Sequence, residues 1–287
     1  MDSLATAQRD LAQFLTQAKA VILPRQLSEK AEPVPLSPEI KLRVGVDLGT
    51  AYLVLVVTDE SGAPLAGEWQ FAEVVRDGLV VDFIGATDLL RSMKQRVEMR
   101  IGRELTHAAS GYPPGVPIVE VRSTAHVVEA AGMDCSGMID EPSAANNVLM
   151  LREGAIVDVG GGTTGIAVLD DNEVIYTADE PTGGIHFSLV IAGSLGISLE
   201  EAEALKTTPE EQPRLLPLVR PVMEKVASIT ERHIRGRDVN LITMVGGSSA
   251  FLGMADVVQD YIGVPTRGVS HPVFVTPLGL ALHDPPQ

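Results

Sequence analysis

The sequence predicts an α/β protein built from two similar lobes. Three observations lead there: strand clusters alternate with helices, one acidic Gly-Thr hairpin occurs twice at domain-sized spacing, and a Pro-rich stretch separates an N-terminal helix from the rest. In chain order, Leu4, Leu11, Phe14, Leu15, Ala18 and Ile22 recur at helical spacing over residues 3–23, and Pro24 ends the run. Residues 25–40 hold Pro33, Pro35 and Pro38 and predict an extended linker outside the core. A short amphipathic helix on such a tether docks on its own domain or on another protein. From Leu42 the pattern reads strand, turn, strand over 42–58, further strands over 65–83, a helix over 86–101, a short strand at 106–109 and a helix over 117–131. A strand near 137–140 leads into a helix over 142–152, then strands at 154–159, 164–170 and 173–179. Gly183-Gly184 opens a further helix, with helices at 198–206 and 214–235, a strand at 241–245 and helices at 250–262 and 276–283. The predicted domains are 1–41 (helix and linker), 42–150 (first lobe) and 151–287 (second lobe).

Composition narrows the function classes. The chain has 287 residues, 45% of them hydrophobic, with mean hydropathy +0.18, enough for a substantial core. A formal charge of −16 with only 22 basic residues argues against nucleic acid and against anionic lipid as main partners. The single cysteine, Cys135, allows no internal disulfide, and the six scattered histidines show no metal-ligand spacing. No secretory signal pattern opens the sequence and no apolar run reaches the ~18 residues that span a bilayer, so a cytoplasmic protein is expected.

The repeat carries the most chemistry. RVGVDLGTAYLVLVVTDESG (43–62) and AIVDVGGGTTGIAVLDDNEV (155–174) share one plan: an apolar strand reaching Asp, a Gly-Thr turn, a second apolar strand and an acidic tight turn. The first carries Asp47, Gly49 and Thr50, the second Asp158, Gly160, Gly161, Gly162 and Thr163. Glycines let the backbone approach an anion closely and adopt positive φ, and successive turn N–H groups form an anion-binding nest. Carboxylates beside phosphate imply an intervening cation, which points to Mg²⁺ held largely through water. Threonine hydroxyls can add hydrogen bonds to phosphate. Either hairpin alone is also an ordinary Gly- and Asp-rich turn. The pattern is neither a P-loop nor a Rossmann fingerprint, because GGGTTG leads into a strand.

With those motifs, the sequence resembles the superfamily of actin, DnaK-type chaperones and sugar kinases over about residues 42 to 283. VGVDLGTAY looks like its first phosphate loop and IVDVGGGTTGIAV its second. IDEPSAAN (139–146) resembles the connecting helix, ITMVGGSSAFLGM (242–254) the adenosine loop and VTPLGLAL (275–282) the second connector. Within it, the chain is most similar to the chaperone-like ethanolamine-utilisation branch associated with bacterial microcompartments. The resemblance implies an actin-like fold with reduced upper subdomains, ATP and Mg²⁺ as ligands, and weak ATPase activity. It implies that Asp47 and Asp158 hold hydrated Mg²⁺ and that Glu141 orients or deprotonates the attacking water. Thr50, Ala51 and Tyr52 after Gly49, and Thr163 and Thr164 after the second glycine run, would meet the phosphates. Gly183 and Gly184 match a turn near the terminal phosphates or merely open a helix. Gly246 and Gly247 would let adenosine lie flat, and Ser248 would join them or act as a helix cap. Glu203 and Lys206 match adenosine-pocket positions or form a solvated i, i+3 pair.

This sequence departs from the chaperone pattern at Gly165, where a second acid is usual, and no counterpart of the catalytic lysine is apparent. No stretch resembles the DnaK-type substrate-binding domain, so slow turnover is expected. By resemblance, the partner is ethanolamine ammonia-lyase or a microcompartment protein, with the helix over 3–23 as the docking element. Competing readings are a nucleotide-gated scaffold or actin-like filament and, with no sugar-kinase signature, a small-molecule kinase.

Overall fold

A computed structural model describes residues 2–76, 79–115 and 117–287; of the side chains of residues 2–9, 118 and 120 nothing is said. In chain order come α1 (Asp2–Val21), β1 (Ile22–Pro24), α2 (Arg25–Ser28), β2 (Leu42–Leu48), β3 (Tyr52–Asp59), β4 (Pro64–Phe71), β5 (Val75–Arg76) and β6 (Leu79–Val80). Then follow α3 (Phe83–Ile101), β7 (His107–Tyr112), α4 (Ile118–Ala130), β8 (Asp134–Asp140) and α5 (Glu141–Leu149). The next stretch holds β9 (Gly154–Val159), β10 (Thr164–Asp170), β11 (Glu173–Glu180), α6 (Gly184–Leu195), α7 (Leu199–Lys206) and α8 (Gln212–Ile234). Last come β12 (Ile242–Val245), α9 (Met254–Ile262), β13 (Thr266–Gly268) and α10 (Val275–His283). The chain divides into two compact units, Met1–Met150 with Phe274–Gln287, and Leu151–Val273.

Each unit is built on one sheet. In the first, the strand order is β1-β4-β3-β2-β7-β8, and in the second β11-β10-β9-β12-β13. With β1 set aside, the two orders are the same. The first three strands of each repeat are antiparallel and the last two parallel. The register repeats as well: Asp47 pairs with Val54 and Asp158 with Gly165, each seven residues further along. Even a β-bulge recurs, with Leu65 skipped opposite Val57/Thr58 and Ile175 skipped opposite Val168/Leu169.

The first core packs Val44, Val46, Leu53, Leu55 and Val57 of the central hairpin under Leu90, Met93 and Val97 of α3. Asp82 starts α3 by accepting the Gly85 N–H, and Gly102 ends it at φ 67°, in the left-handed region glycine tolerates. The second core sets Val157, Ile166 and Val168 against Phe187 of α6 and Val219, Met223 and Val226 of α8. Between β4 and α3 the described residues of the first unit form only the short strands β5 and β6, and between α6 and α8 the second unit has only α7.

Two expectations require correction. The segment 1–41 is no free tether. Leu15, Ala18 and Ile22 are fully buried, and β1 pairs in parallel with Gly67–Trp69 of β4 at the sheet edge. The Pro-rich stretch then runs past the end of α3, where Val34 and Leu36 donate N–H groups to the Arg100 and Ile101 carbonyls. Its prolines keep the backbone extended, and these two N–H groups satisfy carbonyls at the end of α3.

The second correction concerns residues 274–287, which belong to the first unit rather than to a lobe spanning 151–287. Helix α10 lies so close to β2 that a Cβ on Gly45 would fall 2.4 Å from the Pro277 carbonyl oxygen. It crosses α5 closer still, a Cβ on Gly279 falling 1.8 Å from the Ala144 oxygen. The fully buried Asp284 anchors its end by accepting the Val44 N–H at 2.8 Å, bonding His107 Nδ1 at 2.9 Å and accepting the Ser136 hydroxyl.

Candidate functional site

The repeated hairpins reach their turns by the same backbone device. The Gly49 N–H donates to the Tyr52 carbonyl at 3.1 Å, and the Gly160 N–H to the Thr163 carbonyl at 3.0 Å. Neither glycine has positive φ, contrary to expectation. Gly49 is required by crowding instead, since a Cβ there would sit 2.8 Å from the Tyr52 oxygen.

In the first unit, Asp47 stands near the carboxyl end of β2, next to the turn of Gly49, Thr50 and Ala51. Glu141 is the first residue of α5, directly after β8. Because β2, β7 and β8 run parallel, their carboxyl ends gather Asp47, Tyr112, Asp140 and Glu141 at one edge of the sheet, where open α/β sheets bind ligands. Asp140 caps α5 by accepting the Ser143 N–H at 3.0 Å, which fixes Glu141 in the first turn. Tyr52 packs edge-on against Trp69 and Phe71, with ring centroids 5.3 and 5.9 Å away. Burial and the nearby Asp140 push the Tyr112 hydroxyl upward in pKa.

The second unit brings its predicted residues into one constellation. The N–H groups of Gly184 and Ile185, at the start of α6, donate to the carbonyls of Gly160 and Gly161 at 2.9 and 2.8 Å. A Cβ on Gly183 would meet the Gly161–Thr163 backbone at 2.7–2.8 Å, so Gly183 allows the close approach of helix and loop. Gly183-Gly184 therefore braces the loop and is more than a helix start. Ser248 is no helix cap: its hydroxyl donates to the Gly160 carbonyl at 2.8 Å. Gly246, at φ 82°, has no room for a Cβ, which would fall 2.2 Å from Asp158 Oδ1. Asp158 is itself only 7% exposed. Thr164, also a predicted phosphate-binding residue, is fully buried and donates its hydroxyl proton to the Thr182 carbonyl at 2.6 Å.

Glu203 and Lys206 do not form a solvated pair. Their side chains are 14% and 9% exposed, with Nζ 2.6 Å from Glu203 Oε2. Lys206 also donates to the Gly184 carbonyl at 3.2 Å, and the Ser188 hydroxyl donates to the same Glu203 oxygen at 2.6 Å. Desolvation pulls the Lys206 pKa down, with the Glu203 carboxylate opposing it. Glu203 Oε1 is buried and has no hydrogen-bond partner. Beside this pair lies a cavity of about 130 Å³, with Phe187, Phe251 and Gln212 in its lining along with Lys206, Gly247 and Ser248. Motif reading reached only Phe251, inside ITMVGGSSAFLGM and without a role of its own: Phe187 reads as an ordinary apolar helix residue, and Gln212 has no motif around it.

The residues fit a Mg-nucleotide. An orphaned buried carboxylate oxygen suits a hydroxyl donor such as a ribose. The cavity is near the size of an apolar cavity known to take a benzene ring, ~150 Å³. No group of three or more His, Cys, Asp or Glu side chains able to hold a metal occurs among the described residues.

Comparison with known proteins agrees with this architecture. The chain is 42% identical over 248 residues to the ethanolamine utilization protein EutJ of Escherichia coli (strain K12), covering 86% of this chain and 87% of that one. The crystal structure of ethanolamine utilization protein EutJ from Carboxydothermus hydrogenoformans matches with a TM-score of 0.87 and 42% identity, covering 96% and 98% of the two chains. MreB 5 of Spiroplasma citri bound to AMPPNP shares the fold at 16% identity, with a TM-score of 0.67 over 84% of this chain and 95% of that one. The family model of the cell division protein FtsA matches residues 155–279, and that of MreB/Mbl residues 67–195. The fold is therefore that of the actin-like ATPase superfamily.

Proposed function

Because the chain belongs to the EutJ family of ethanolamine utilization proteins, we propose that it is an ATP-binding, slowly hydrolysing, chaperone-like protein. Its nucleotide state gates its hold on an ethanolamine-utilisation enzyme, such as ethanolamine ammonia-lyase, or on a microcompartment protein. The observation that carries the nucleotide reading is the shared turn: Asp47 and Asp158 at one register, each followed by a glycine bonded three residues ahead.

On this reading Asp47 and Asp158 hold hydrated Mg²⁺, which when bound neutralises charge between carboxylates and phosphates. The glycine turns, with Thr50 and Thr163, bind phosphate oxygens; Glu203 and Lys206 meet the ribose, and Phe187 and Phe251 the base. Glu141 orients the attacking water. Phosphoryl transfer to water depends on positioning and electrostatics, and the missing acid at Gly165 supports slow turnover. Nucleotide bound to both repeats favours lobe closure, and hydrolysis shifts the population away from it. The protein acts in the cytoplasm, beside or on a microcompartment. No single helix among its described residues is long and apolar enough to cross a membrane.

Isothermal titration with Mg-ATP and Mg-ADP tests the site. Asp47→Ala and Asp158→Ala should each weaken Mg-dependent binding about tenfold or more, with unchanged circular dichroism. Full-strength binding by both variants would remove the nucleotide assignment. A second reading, a nucleotide-gated scaffold or filament, is favoured by the FtsA and MreB/Mbl matches. Sedimentation with Mg-ATP separates the two, since only a filament pellets.

A further inference from the structure

We infer that Ser248 is a positioning residue for phosphate: its hydroxyl, reaching from the loop after β12, holds the Gly160 carbonyl and so aims the Gly161 N–H of the second glycine turn. The inference rests on the nucleotide reading above and concerns how the nucleoside pocket and the phosphate turn of the second unit are joined.

A trans peptide is flat, with its C=O and N–H directed to opposite sides. Fixing the Gly160 carbonyl therefore fixes the Gly161 N–H, which lies in the same peptide plane. That carbonyl accepts the Gly184 N–H at 2.9 Å and the Ser248 hydroxyl at 2.8 Å, so both of its lone pairs are used. The next plane is held differently. The Gly161 carbonyl accepts the Ile185 N–H at 2.8 Å, which directs the Gly162 N–H. Two successive turn N–H groups are thus directed away from the start of α6, as an anion nest requires. Of the three groups that hold them, two are backbone N–H groups of α6, and Ser248 supplies the side chain.

The surroundings are shaped for this hydroxyl. Gly184 does not have positive φ, so its backbone conformation does not call for glycine. Space does: a Cβ there would fall 2.1 Å from Ser248 Oγ. The missing side chain leaves the slot that the hydroxyl fills. Ser248 also lines the cavity, as does Lys206, whose Nζ donates to the Gly184 carbonyl. One hydrogen-bonded network therefore runs from the cavity wall to the turn, and Ser248 is its direct link to Gly160. Its oxygen keeps lone pairs, so a contact with the nucleoside itself is the rival role. The two roles differ in which part of a nucleotide feels the loss of the hydroxyl.

The experiment compares the full chain with Ser248→Ala. Adenosine is titrated by ligand-observed NMR, which reads weak binding, and Mg-ADP by calorimetry. Ser248→Ala should weaken Mg-ADP about tenfold, as expected for losing one aligned hydrogen bond, and leave adenosine within about twofold of wild type. In nitrogen–proton correlation spectra of the ligand-free proteins, the Gly161 amide should move while the Gly162 amide, held through Ile185, stays. Equal weakening of adenosine and Mg-ADP overturns the inference, because Ser248 would then contact the nucleoside. Unchanged Mg-ADP binding, or an unmoved Gly161 amide, overturns it as well, because α6 alone would hold the turn. Each of these results leaves nucleotide binding intact. Binding of neither ligand by wild type overturns both this inference and the function it rests on.

Discussion

The two sheets carry the same hairpin but differ in what rests on it. Position 45 in the first unit is glycine, and the position two residues before the aspartate of the second unit is Ile156, fully buried. The difference follows from the neighbours. In the first unit α10 lies with its backbone against β2, whereas Ile156 faces away from the side of β9 that packs Ala155, Val157 and Val159 against α6 and α8. The edges differ too: β4 is covered by β1, whereas β11 pairs only with β10 among the described residues. What is common to the two units is the turn and its register. Everything that differs is packing around it. The turn is thus the part that both units keep, and the scaffold under each is free to change.

The sharpest way to break this comparison is to exchange the two residues. Gly45→Ile should cost more than about 3 kcal/mol, because even the Cβ collides with Pro277 O and Ala281 N at 2.4 and 2.5 Å. Chemical denaturation of the purified variant, or its loss from the soluble fraction, reads the effect; a change below about 1 kcal/mol would mean that α10 does not demand the glycine. The reverse change, Ile156→Gly, should open a cavity and cost roughly 2–5 kcal/mol in the other unit.

Next in size is removal of residues 1–28, which makes the first sheet's edge like the second's. Losing buried Leu15 and Ile22 costs about 1.5–3 kcal/mol each, and uncovering β4 invites edge pairing. Thermal unfolding should fall and light scattering should rise. An unchanged monomer with an unchanged melting point would show that β1 is dispensable.

The smallest effect belongs to the second unit's open edge. Glu180 on β11 bonds His233 Nε2 at 3.0 Å and Arg232 at 2.5 Å. The His233 hydrogen bond, with the Arg232 charge behind it, holds its carboxyl below the ordinary 4.5. Such a depressed carboxylate stabilises the fold at pH above that ordinary value and loses its contribution as pH falls through the folded value. Glu180→Gln should therefore cost about 0.2–1 kcal/mol near neutrality, the difference shrinking in acid. A difference that grows as pH falls would reverse the assigned sign.

The periodic helices and the central hairpins were legible because their signals are local: a 3.6-residue stripe, or two apolar runs flanking a glycine turn. Strands β1 and β13 were not, since three residues carry no pattern and their pairing partners are distant in sequence. The return of α10 to the first unit had one trace, Gly45 inside an apolar strand, which signals close backbone approach. At the site, the spacing of Glu203 and Lys206 named the pair, but their burial depends on α6 packing over α7. The roles of Ser248 and Gly183 were ambiguous for the same reason, because each is decided by a loop far along the chain.

The skipped residues Leu65 and Ile175 have a consequence for ancestry. An irregular ladder gives up pairing and gains nothing that the acidic turn requires, so selection for the turn does not recreate it twice at one register. The economical history is a single ancestral meander that already held its extra residue and was copied whole, defect included.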